Sequence, residues 1–137
     1  MHYRLMAGAM LLLGACAKPY AAPASVSTAA GPDESFACIK KELAAMGYKQ
    51  NSVDVDEHRV NASKIDLESR RPDTQFRRMV DKLEVDISPE ANGQTGINVK
   101  ARTFAEYTTQ RGPTEVEEKP SAAVQESTKQ LLERCRG

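Results

Sequence analysis

The chain has 137 residues, room for one domain and no more. Its 19 basic and 19 acidic residues cancel, without the basic excess that nucleic-acid binders concentrate on one face. Aromatic residues make up 5% and tryptophan is absent, which argues against a stacking platform for nucleic acid and against an aromatic sugar-binding cleft.

At the N-terminus a basic Arg4 precedes the apolar run Leu5 to Leu13, and Gly14 and Ala15 lead into Cys16. The run is far shorter than the roughly 20 residues a membrane-spanning helix needs. A positive start, a short apolar centre and small residues at the exit fit a cleaved export signal. The stretch Leu13-Gly14-Ala15-Cys16 resembles the lipobox of bacterial lipoproteins. That resemblance implies removal of residues 1–15, acylation of Cys16 as the first mature residue, and loss of Arg4, which leaves a formal charge of −1. The residue after the cysteine is Ala17 rather than the aspartate that marks inner-membrane retention. The implied location is therefore the periplasmic face of the outer membrane. With Cys16 carrying lipid, Cys38 and Cys135 remain, and in an oxidising compartment an even remainder reads as one disulfide. Two unrelated buried thiols are the alternative.

Residues 17–32 contain three prolines and no sustained apolar period, which predicts a flexible tether. The folded domain is then 33–137. Asp33, after Pro32, is a candidate N-cap for a first helix whose apolar stripe is Phe36, Ile39, Leu43 and Met46. Gly47 supplies its stop, with Tyr48 folding back on the last turn.

Strands follow. Tyr48 to Val55 is weakly patterned, Asp56-Glu57-His58 reads as a turn, and Arg59 to Glu68 resumes. The apolar set of that segment switches parity, from Val60 and Ala62 to Ile65 and Leu67, which predicts a bulge or a sharp twist near Ser63. Met79, Leu83, Val85 and Ile87 mark the next strand, ended by Pro89. Asn92-Gly93 makes a hairpin connection to Ile97, Val99 and Ala101, with extension towards Tyr107. Thr108 to Lys119 reads as a polar loop, and Pro120 opens a final helix with Val124, Thr128, Leu131 and Cys135 on one face. The predicted architecture is α+β: a two-layer sandwich of order α-β-β-β-β-α, a four-stranded antiparallel sheet with two helices on one face.

Two clusters carry candidate chemistry. Asp54, Asp56, Glu57 and His58 contain metal-ligating types, but a turn between strands is where solvated charges collect, so no metal is expected. Arg70, Arg71, Arg77 and Arg78 flank one loop, and guanidinium groups grip phosphate or carboxylate in a forked geometry. Surface charge compensated by Asp73, Asp81 and Glu84 is the simpler account of these arginines. The specific alternative is a binding domain for an anionic envelope ligand. No serine stands in a nucleophile elbow and no glycine-rich phosphate loop is present. The expectation is a membrane-anchored, non-enzymatic module without cofactor, whose partner is an envelope protein.

Overall fold

The computed structural model describes residues 20–137; Cys16 and the export signal lie outside the described residues. The architecture is α+β, with two helices against a six-stranded antiparallel sheet. Two of those strands come from segments that the sequence reads as irregular.

The first is β1 (Ala22–Thr28), inside the expected tether. Its composition is small and polar, yet it alternates: Ala22, Ala24 and Val26 are half-buried, and Pro23, Ser25 and Ser27 are exposed. Small side chains give little hydropathic contrast, so the period of two is easily missed. Pro23 stands opposite Lys100, at a strand edge, the one setting where a missing N–H costs no ladder bond. Only residues 17–21 separate Cys16 from β1.

Helix α1 (Pro32–Ala45) follows. Its N-cap is Gly31, not Asp33; Pro32 takes the first helical position, where proline's fixed φ suits the helix and its lost N–H is not needed. Asp33 falls in the first turn, where a carboxylate favours the helix dipole. Phe36, Ile39 and Leu43 are buried. Gly47, at φ +82°, ends the helix, and the Tyr48 amide donates to the Leu43 carbonyl at 3.0 Å.

Strand β2 (Lys49–Asp54) pairs with β3 (Arg59–Asp66), and the register shift lies in β2, between Gln50 and Ser52. Against β4, strand β3 is regular through Ser63. The parity switch therefore has another cause. Val60 and Ala62 face the helices, whereas Ile65 pairs with Val80 and joins Phe104 on the opposite face of the sheet.

The long ribbon of β4 (Phe76–Pro89) and β5 (Thr95–Thr109) forms the spine, joined through the Asn92-Gly93 turn with Gly93 at φ +79°. Beyond it lies β6 (Gly112–Glu118), in place of the expected polar loop. Its glutamates pair with cations from β4, β5 and the loop before β4: Glu115 with Lys82 at 2.7 Å, Glu117 with Arg102 at 3.8 Å, and Glu118 with Arg71. Acidic composition hid a strand whose charges are answered across the sheet. Both β1 and β6 pair with β5, along its two halves.

Helix α2 (Ala122–Cys135) starts one residue past Ser121, whose Oγ accepts the Val124 N–H; Pro120 precedes this cap rather than opening the helix. Val124, Thr128, Leu131 and Cys135 face the core. Cys38, near the start of α1, forms a disulfide with Cys135 at the end of α2, with 5.7 Å between the Cα atoms. Tyr48, just past the end of α1, lies by Ser127 near the start of α2, so the helices run antiparallel. Their stripes meet Val60, Leu83, Val85, Ile97 and Val99 of the sheet in one continuous core.

Candidate functional site

The four arginines have no common focus. Arg70 donates to the carbonyls of Leu67 and Ser69 and so braces its own loop. Arg71 makes a forked pair with Glu118, with one bond of 2.6 Å, and donates to the Tyr107 hydroxyl at 3.0 Å. Its guanidinium also stands 5.2 Å from the centre of the Phe76 ring. These bonds hold the Glu118 carboxyl below its usual range and raise the Arg71 pKa. Glu118 pairs in register with buried Thr103, which puts Arg71 on the helix-bearing face. Arg78 pairs with Glu106 at 3.1 Å, in the row beyond Val80 and Phe104 on the opposite face. Arg77 is exposed and forms no ion pair among the described residues. Sequence proximity placed the four together; strand alternation and the fold of residues 67–75 separate them.

The His58 turn joins β2 to β3. His58 adopts φ +52°, and its ring meets Phe36 edge-on with centres 5.3 Å apart. Its Nε2 lies 2.7 Å from the carboxylate of Asp33, so the turn is tied to the first turn of α1. The Asp54 carboxylate accepts the Glu57 N–H at 3.0 Å, which closes the turn locally. Asp54, Asp56 and Glu57 are exposed, and among the described residues no three metal-ligating side chains converge.

One polar cluster escaped the sequence reading. Asp81 is buried on β4, where it receives the Thr103 hydroxyl at 2.7 Å and the Ser121 hydroxyl at 2.9 Å. Thr103 Oγ1 in turn accepts the Ser121 N–H at 2.9 Å. The carboxylate thereby fixes the cap of α2 to the sheet, with both hydroxyls donating to it. Counted by composition, Asp81 passes for surface charge beside the arginines, yet its position in phase with Met79, Leu83, Val85 and Ile87 already places it on the inward face. A second signal is Ser121, a strong N-cap type directly after a proline.

Each strand edge is blunted: β1 by Pro23, β6 by Pro113, and β2 by its irregularity around Asn51. Two of the exposed apolar residues adjoin at the end of β3, while Val53, Val55 and Val116 are exposed elsewhere. Ile65 and Leu67 are 43% and 67% exposed, and Val80 and Phe104 lie beside Ile65 in the same row. On the other face, between β1 and α2, there is an open groove of about 370 Å³. Ala22, Ala24 and Val26 form one wall, and Thr128 and Leu132 the other.

The chain matches no model of a known protein family. A search of curated proteins likewise finds no match.

Proposed function

We propose that this chain is a lipid-anchored envelope protein, attached through Cys16 to the periplasmic face of the outer membrane, whose domain binds an envelope protein rather than catalysing a reaction. The observation that carries the reading is the Cys38–Cys135 disulfide, which leaves Cys16, of the three cysteines, as the one available to lipid. An intramolecular disulfide suits an exported protein, because cytosolic thiols are kept reduced.

The position of β1 supports close attachment. Six residue steps separate Cys16 from Ala22, a reach of at most about 20 Å. The domain would therefore stand against the bilayer surface. For the partner, the exposed Ile65 and Leu67 at the end of the sheet offer apolar contact flanked by arginines, the composition of an interface core with a polar rim.

Replacement of Cys16 by serine tests the anchor. Expected are loss of radiolabelled palmitate and release of the protein from the membrane fraction, and unchanged membrane association refutes the reading. Photo-crosslinking in cells from position 67 tests the partner surface. A discrete crosslinked protein that disappears with Ile65→Lys supports it, and the absence of any adduct counts against it.

A further inference from the structure

We infer that the groove between β1 and α2 is a binding site for a single-chain fatty-acid anion. Three observations converge on this ligand. The groove floor and walls are hydrocarbon: Ala22, Ala24 and Val26 from β1, Ala101 from β5, and Leu132 from α2. Three of these are alanines, and side chains this short leave open the space that larger residues would fill between a strand and its helix. At about 370 Å³ the volume lies in the range of small-molecule sites.

The rim supplies the charge. Lys129 and Arg136 stand at the mouth with one carboxylate, Glu133, and none of the three enters an ion pair among the described residues. A net positive rim beside an apolar trough fits an alkyl chain that ends in a carboxylate.

Pro23 removes one of the N–H groups along β1 that a strand-adding peptide would use. The apolar walls and charged rim instead offer a ligand side-chain contacts that need no backbone ladder. This inference does not rest on acylation of Cys16, and it holds or fails separately from the anchor.

The test uses the oxidised full chain carrying Cys16→Ser, titrated with cis-parinaric acid. Saturable fluorescence at one probe per chain is expected. Competition by decanoate, dodecanoate and tetradecanoate should tighten by about 2–4-fold per methylene, then level off once the groove is filled. Ala24→Phe, which fills the trough from a strand position that favours aromatic residues, should weaken binding at least tenfold with an unchanged thermal transition. Lys129→Gln with Arg136→Gln should weaken dodecanoate several-fold and leave methyl dodecanoate unaffected. That contrast is independent of Ala24→Phe, should the filled variant fold poorly. Absence of saturable binding, binding retained within twofold by folded Ala24→Phe, or equal loss of acid and ester after the double substitution would each overturn the assignment.

Discussion

Along β4 and β5 the inner face of the sheet changes character at the row formed by Lys64, Asp81, Thr103 and Glu118. Towards Ile87 and Ile97 it lies under α1 and α2, where Leu83, Val85, Ile97 and Leu131 are fully enclosed and a disulfide ties the helices together. Towards Phe76 and Tyr107 the helices have ended and residues 67–75 take their place. There the contacts are Arg71 with Glu118 and Tyr107, the edge-on Phe76–Tyr107 pair, and the Thr108 amide bonded to the Gln75 carbonyl at 2.8 Å. One end is held by dry packing and a covalent bond, the other by half-exposed charge and ring contacts. The two ends should therefore respond to different perturbations. Reduction and cavity formation act on the first, acid and salt on the second.

The largest expected effect is on the helix-covered end. Cys38→Ala combined with Cys135→Ala opens a loop that spans 97 residues. In the chain-entropy model this costs about 4–5 kcal/mol, measurable by urea unfolding. A loss below about 1 kcal/mol would show that packing alone sustains this half. Next comes Leu131→Ala, at about 3 kcal/mol for a fully buried leucine. Val116→Ala, at a 47% exposed site on β6, should change stability by less than about 0.5 kcal/mol. Comparable losses from the two would erase the distinction between the ends.

Arg71→Met is expected to cost under about 1 kcal/mol globally, since its pair with Glu118 is about one-third exposed. Hydrogen exchange should nonetheless accelerate in Phe104–Glu118 while Leu83–Ile87 stays protected, and uniform acceleration would argue for a single cooperative unit. The smallest effect is that of acid. Arg71 lowers the Glu118 pKa, and the Ser69 hydroxyl with the Glu68 amide lowers that of Asp66. A carboxylate whose pKa is lowered by folding adds stability above its unfolded value, and that contribution is lost as pH falls through the folded value. Acidification below about pH 4 should therefore loosen the loop-covered end first, read as earlier exchange there than under the helices. Simultaneous loss would contradict this.

The sequence disclosed what depends on hydrophobic contrast. The stripes of α1 and α2, the alternation around Leu83 and Val99, the Gly47 stop and the Asn92-Gly93 turn all follow from apolar spacing or from backbone conformations that favour glycine. It was silent where a strand carries no contrast or where charge meets its partner at long range. Strand β1 sets Ala22, Ala24 and Val26 against Pro23, Ser25 and Ser27. Strand β6 is rich in glutamate because Lys82, Arg102 and Arg71 lie across from it, 33 to 47 residues away in some pairs. The dispersal of the arginines has a related cause: Arg71, in the loop, reaches Glu118 on the helix-bearing face, whereas Arg78, on β4, pairs with Glu106 on the opposite one. The groove was illegible because its two walls, residues 22–26 and 128–132, are joined only by the complete fold.

Pairing of β1 with β5 sets an order for folding. Ala22 meets Ala101 and Cys38 meets Cys135, so neither the first strand nor the covalent tie can form until most of the chain is available. Contacts this distant along the sequence slow folding into the millisecond-to-second range. A nascent chain would close its sheet from the β4–β5 hairpin outward and seat Ala22–Thr28 late. The strand nearest Cys16 is thus among the last to join, and residues 17–21 lead straight into the part of the sheet that closes latest.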